Sequence, residues 1–205
     1  MELEHWNEFY RVFERPSHSD FAEYIFNHFL KRGDSIMDLG CGDGIDSIYF
    51  MKMGLNVTAV DQTIPQSFIN KFYKDITIAK SDAILFLNKL KGKYFNHIFA
   101  RFFLHAIDDL EEDLILPLIY KRLCKNGYLH IETRTLSSLE MAPVFNNQKR
   151  SIMQYDGHYR RFVPPEAIRT KLEINKFKIV YMKEDYGFSS LNPQDKLMRI
   201  TCKKV

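Results

Sequence analysis

The chain has 205 residues, the length of one domain, with 45% apolar and 27% charged residues, a globular rather than disordered composition. A net charge of only +3 and no long basic run argue against a nucleic-acid binder, and no apolar stretch approaches a membrane span. Three cysteines, Cys41, Cys124 and Cys202, are far apart and odd in number, which points to a reducing compartment and no zinc-ligand pair. The start, Met1-Glu2-Leu3-Glu4, is polar and acidic and is no signal peptide, so the chain reads as cytoplasmic. Aromatics reach 14%, with 17 Phe and 11 Tyr, enough for a large core or a ring-lined pocket.

From the amino terminus, Trp6, Phe9, Tyr10 and Phe13 fall mostly on one helical face, and Pro16-Ser17 ends that segment. A second helix is expected from Ser19 to Lys31, capped by Ser19 or Asp20 and closed by Gly33. Ser35–Leu39 reads as the first strand, Ile45–Met53 as a helix ended by Gly54, and Asn56–Val60 as a second strand running into Asp61. Helix, strand and helix then follow at 65–73, 76–79 and 83–90, with Ser81-Asp82 before the last of them. A fourth strand is expected at 96–101. A long helix at 109–124 should be interrupted or kinked at Pro117, and a fifth strand runs over 128–133. From Leu136 to Pro165 periodicity fades, and a connection of that length usually marks a functional insertion. Pro165 opens a last helix to Asn175, and strands close the chain at 177–183 and 196–203.

Strands alternating with helices imply a doubly wound α/β sheet, in which ligands sit beyond the carboxyl ends of the strands. The chemically suggestive residues fall at those ends: Asp38–Gly44, Asp61, Ser81-Asp82, Arg101–His105 and Glu132–Arg134. The densest signal is Ile36-Met37-Asp38-Leu39-Gly40-Cys41-Gly42-Asp43-Gly44, an apolar run that ends in an acid and then turns on glycines. Dinucleotide enzymes carry G-x-G-x-x-G, whose third glycine would fall at position 45. Here it comes one residue earlier, at Gly44.

This stretch resembles motif I of the class I S-adenosylmethionine (SAM)-dependent methyltransferases. The resemblance covers residues 33–135 by motif and the rest by element order. It implies a Rossmann-like, seven-stranded sheet, mostly parallel with an antiparallel C-terminal strand and N-terminal capping helices. The whole chain is then one domain, 1–205, with a helical cap over 1–33 and an acceptor-side insertion over 136–165. SAM is the implied cofactor and S-adenosylhomocysteine the product. Gly40, Cys41 and Gly42 would form the turn against the cofactor, with Asp38 near its methionine moiety. Asp61 matches the acid that holds both ribose hydroxyls, a task suited to a carboxylate that accepts two hydrogen bonds. Gln62 would lie on the adenine or ribose edge. Ser81-Asp82-Ala83 matches the third motif, with Asp82 accepting from the adenine amino group and the Ala83 N–H donating to the ring. The alternative for Asp82 is a helix N-cap.

After the fourth strand, Leu104-His105-Ala106 resembles the family's Leu-His-His-like sequence, and no Asn/Asp-Pro-Pro-aromatic motif of base-amine methyltransferases is present. Leu123-Cys124-Lys125-Asn126-Gly127 resembles the family's Leu-x-Pro-Gly-Gly turn but departs from it at Lys125-Asn126. His105 is the candidate general base for a hydroxyl acceptor. Arg101 counts among the cofactor-binding residues and also among the cations at the acceptor. Tyr10, Arg134, His158, Tyr159, Arg160 and Arg161 are the acceptor-binding candidates, since arginines bind phosphate or carboxylate in a fixed fork. The favoured activity is O-methylation of a small anionic molecule, with no metal, nucleic acid or membrane involved. A looser resemblance to methyltransferases of bacterial surface-polysaccharide pathways points the same way. An N-methyltransferase acting on a small amine or protein side chain, and a non-catalytic SAM-binding protein, remain the alternatives.

Overall fold

The computed structural model describes residues 3–12, 17–137, 152–155, 158–190 and 193–205. In chain order these form α1 (Leu3–Val12), α2 (Asp20–Phe29), β1 (Ser35–Leu39), α3 (Ile45–Lys52), β2 (Asn56–Asp61), α4 (Gln66–Phe72), β3 (Thr77–Lys80) and α5 (Ala83–Lys89). Next come β4 (Phe95–Arg101), a 3₁₀ turn (Leu104–Ala106), α6 (Asp109–Arg122), β5 (Leu123–Arg134), β6 (Ile152–Tyr155), β7 (His158–Arg161), α7 (Pro165–Ile174), β8 (Phe177–Asp185) and β9 (Leu197–Lys204).

Seven strands make one sheet in the order β3-β2-β1-β4-β5-β9-β8. The first five are parallel neighbours, and β9 runs antiparallel to both β5 and β8. Strand β1 is buried on both faces, as a central parallel strand must be. Ile36 packs with Phe21, Ile25, Phe50 and Phe99 under α2 and α3. Its neighbour Met37 packs with Ile98, Leu116 and Ile119 on the face covered by α5 and α6. The order reverses between β1 and β4, so a crevice opens where their carboxyl ends diverge.

Side-chain caps explain the starts of two helices. Ser19 caps α2 by accepting from the Ala22 N–H at 3.1 Å. Asp108 and Glu111 form a reciprocal capping box at the start of α6.

Three expectations need correction. Helix α6 runs through Pro117 without interruption. Pro117 and Asp113, whose carbonyl the ring leaves unpaired, are both on the exposed side, where solvent satisfies that group. Strand β5 starts at Leu123, not Tyr128. The Cys124–Gly127 segment is an irregularity within it, between the Phe95↔Leu123 and His97↔Tyr128 pairs, with Asn126 at φ 64°. The long connection after β5 is not wholly irregular, because β6 and β7 pair as a hairpin with Tyr155 opposite His158. Its signal was the Asp156-Gly157 dipeptide between two strand-forming runs, a favoured hairpin link. Phe13, Asp156 and Gly157 lie outside the described residues.

Candidate active site

A cavity of about 260 Å³ opens at the carboxyl ends of β1, β2, β4 and β5, roofed by α1. Its lining includes Asp38, Gly40, Cys41, Asp61, Gln62, Ser81, Asp82, Ala83, Arg101, His105, Arg134 and Tyr10. Residues as far apart in the chain as Trp6 and Ser189 thus line one cavity.

The glycine turn is built from the backbone upward. The N–H groups of Gly40 and Cys41 both donate to the Val60 carbonyl at the end of β2, at 2.8 and 3.1 Å. Gly44 is the N-cap of α3 at φ 76°, and a Cβ there would meet the Phe68 ring at 2.5 Å. Gly42, at φ 55°, lies under Tyr10: a Cβ there would stand 2.3 Å from the phenol oxygen. Positive φ and crowding thus favour glycine at Gly42 and Gly44, and the turn lies against the roof helix. Burial first, and then the charges of Asp38, Asp61 and Asp43, hold the Cys41 thiol well above its ordinary pKa, so it is a packed thiol and not a nucleophile.

Three acids order one side of the cavity. Asp38 is 2% exposed and accepts from Ser47 Oγ at 2.6 Å, which joins β1 to α3. Asp61 accepts from the Gly42 N–H at 3.0 Å through one oxygen, and from the Thr63 N–H and hydroxyl at 2.8 Å through the other. Asp82 caps α5 by accepting from the Leu85 N–H at 2.9 Å, and its second oxygen accepts from Gln62 Nε2 at 3.0 Å. Asp82 is thus the helix cap, and it also lines the cavity. Ala83 is the first residue of α5, where a backbone N–H has no partner within the helix.

The opposite wall is made of rings and guanidiniums. Phe102 has φ 53°, a strained backbone for a bulky residue, and its N–H donates to the Glu132 carbonyl at 2.8 Å. Arg101 lies 4.3 Å and Arg134 5.6 Å from its ring centroid, and the His105 ring is 5.1 Å away. Arg101 Nε donates to buried Glu132 at 2.9 Å, whose other oxygen accepts from Arg199 Nε at 2.6 Å. Asp46 stands 4.0 Å from Arg101 and accepts from the Ser19 N–H at 2.7 Å. Arg134 Nη1 donates to Asp195 at 2.6 Å, while its buried Nε–H meets no acceptor among the described residues. Trp6 and Phe9 complete the lining from α1, stacked and edge-on with Tyr10.

Arg161 must be withdrawn from the acceptor candidates. It is 1% exposed, and its guanidinium is consumed by Asp109, Glu112 and the carbonyls of Leu104 and Ile107. The backbones of His158, Tyr159 and Arg160 belong to β7, and their side chains lie outside the described residues. Sequence reasoning missed Phe102 and Asp46 at the cavity, and also Ser189, which reaches it from the β8–β9 connection. Phe102 had a usable signal, its place between Arg101 and His105; Ser189 had none.

The methyltransferase domain family matches this chain over residues 9–181. The chain belongs to that family. A curated relative, the ribosomal protein L11 methyltransferase of Thermotoga neapolitana, is 27% identical over 94 residues, 43% of this chain and 36% of the relative. The match thus spans little more than a third of that protein. The 1,6-didemethyltoxoflavin-N1-methyltransferase of Burkholderia thailandensis, solved with 1,6-didemethyltoxoflavin and S-adenosylhomocysteine, superposes with a TM-score of 0.69 at 20% identity, covering 90% of this chain and 76% of that one. A SAM-dependent methyltransferase of Archaeoglobus fulgidus gives a TM-score of 0.65 at 21% identity, covering 89% and 92%. At these identities the likeness shows the fold, a Rossmann-like methyltransferase sheet. No helix among the described residues is long and apolar enough to cross a membrane.

Proposed function

We propose that this chain, folded as one domain over its 205 residues, transfers a methyl group from SAM to a small acceptor, with a hydroxyl or oxyanion as the favoured nucleophile. The observation that carries the reading is a single cavity with two unlike walls: acids and a glycine turn on one side, His105, two arginines and aromatic rings on the other. The acids suit a cationic cofactor, because Asp38, Asp43, Asp61 and Asp82 surround that wall with negative charge. Asp61 holds the ribose end. Three of its roughly four acceptor positions are already used, one by the Thr63 hydroxyl, a donor that a ribose hydroxyl can replace in kind. Asp82 and the Ala83 N–H hold the adenine edge, and Asp38 with the Gly40–Gly42 turn holds the amino-acid end.

When bound, SAM supplies a methyl already electrophilic on its sulfonium. The protein's part is to align the attacking atom and to take its proton where it carries one. His105 is the base. Arg134, with its buried Nε–H, holds an anionic group on the acceptor, Arg101 lies beside it, and Phe102 presents a ring between them. The hairpin and the rest of the 136–165 connection form the acceptor-side insertion. His105→Ala should lower kcat by roughly 10²–10⁴ for a hydroxyl acceptor and much less for one that is already an oxyanion.

A second reading has its own support. Asp46 and Glu111 also line the cavity, and Arg101 and Arg134 each have a carboxylate partner, which suits an amine acceptor. One experiment separates the two. S-adenosylhomocysteine release is followed with sugar phosphates, nucleotide sugars, phosphonates, phenols and amines. Turnover with anionic or hydroxyl acceptors supports the first reading. Turnover confined to amines replaces it with the second. Tight SAM binding with no turnover on any class points to a binding protein without catalysis.

A further inference from the structure

Arg161 is lost to the acceptor but is placed to control the residue that faces it. Four of its five N–H donors are used. Nε donates to the Ile107 carbonyl at 3.1 Å and Nη2 to the Leu104 carbonyl at 3.0 Å. The other two reach Asp109 through Nη1 and Glu112 through Nη2. Leu104 and Ile107 bracket His105-Ala106, and Asp109 and Glu112 belong to the first turn of α6. One buried guanidinium therefore grips the 3₁₀ turn on both sides of the imidazole and locks it to the following helix.

The grip comes from a distant part of the chain. Arg161 ends β7, and two residues later the Val163 N–H donates to the Arg134 carbonyl at 3.0 Å, next to a Thr135↔Val163 bridge. The chain that leaves β5 at Arg134 thus returns to the same place, and on the way back it inserts Arg161 beneath the turn. Lys171 of α7 shares the load on Glu112 and Asp113 at 2.9 and 2.7 Å, so the carboxylates of α6 hold two cations at this point. An anchor for the hairpin alone would need the acids only. The two carbonyl bonds are spent on the histidine turn.

We propose that Arg161 is a positioning residue for His105. It sets where the imidazole stands in the cavity without touching acceptor or cofactor. The inference rests on the proposed function, in which His105 faces the acceptor. Lysine cannot replace the fork, because a single ammonium cannot reach two carbonyls and two carboxylates in one plane.

The test uses the full chain labelled at histidine Cε1, with the His105 cross-peak assigned by its loss in His105→Asn. Arg161→Lys and Arg161→Met are compared with wild type with and without S-adenosylhomocysteine, whose affinity is measured by calorimetry. Both variants should keep that affinity within about threefold. In both, the His105 cross-peak should shift and broaden while those of His97 and His130 stay in place. Asp109→Asn, which leaves the carbonyl bonds intact, should leave His105 near its wild-type position. A His105 signal unmoved in both Arg161 variants overturns the proposal. So does a common shift of all three histidines, or loss of S-adenosylhomocysteine binding in both variants, since either makes Arg161 a stability residue. Wild-type protein that fails to bind S-adenosylhomocysteine defeats the cofactor reading instead, and the His105 signal still reports on Arg161.

Discussion

The two walls of the cavity are assembled differently. The wall of acids and glycines is made by short-range chemistry. Asp61 and Gly42 are 19 residues apart, Gln62 and Asp82 20 apart, and Asp38 and Ser47 only 9 apart. The wall of rings and guanidiniums is made by contacts across the chain: Arg101 and Glu132 are 31 apart, Arg161 and Leu104 57 apart, Arg134 and Asp195 61 apart. The first kind of wall leaves motifs in the sequence because each strand end brings its own turn and acid. The second leaves only isolated charged residues, whose partners are decided by the topology of the sheet.

The largest expected effect lies on the wall of rings and guanidiniums. Glu132 is 1% exposed between Arg101 and Arg199. Glu132→Gln removes the charge that both guanidiniums share, leaving Arg101 only Asp46 at 4.0 Å, and should lower the unfolding free energy by about 3–5 kcal/mol, read from urea titration. A loss below about 1 kcal/mol would show that this wall is not held together by its long-range pairs.

That asymmetry explains what was legible. The doubly wound order, the glycine turn and the acids Asp38, Asp61 and Asp82 were readable because apolar runs end in acids at regular spacing. Arg161 was misplaced because a cation near the end of an insertion looks the same in sequence whether solvated or buried. Its buried state depends on Asp109 and Glu112, 52 and 49 residues earlier. Pro117 was overrated as a breaker because its exposed side does not show in local pattern. The Asp156-Gly157 link was overlooked because the insertion was read for periodicity and not for turn chemistry.

A second prediction concerns a place that serves neither wall. His97 Nε2 meets Asp34 at 3.2 Å, His97 Nδ1 meets His130 Nε2 at 3.1 Å, and His130 Nδ1 meets Thr201 Oγ1 at 3.1 Å. With both rings neutral, one proton per ring satisfies the whole chain of bonds. Burial lowers the pKa of His97, against a partial pull upward by Asp34. Burial, and then the charge of His97, holds that of His130 well below its ordinary value. The unfolded chain therefore binds more protons than the folded one below about pH 6.5, and stability falls as the pH drops through that range. The slope should approach about 1.4 kcal/mol per pH unit for His130, with a smaller part from His97. Urea midpoints between pH 7.5 and 5.5 would show it, and His130→Asn should flatten the slope. A stability that rises on acidification would reject the neutral assignment.

The smallest effect belongs to local capping, which should act alike wherever it occurs. Asp108→Ala removes the α6 cap and should cost about 1 kcal/mol. A much larger loss would mean that the cap also supports the Arg161 contacts of the same turn.

The central claim is that the strand-end acids hold SAM. It is tested most directly by calorimetric titration of SAM into wild-type protein and Asp61→Ala. One-site binding should weaken by roughly 2–3 kcal/mol in the variant, the scale of hydrogen bonds to a charged partner, while the fold is retained. Equal affinity in a folded Asp61→Ala protein, or no binding by the wild type, would contradict the account.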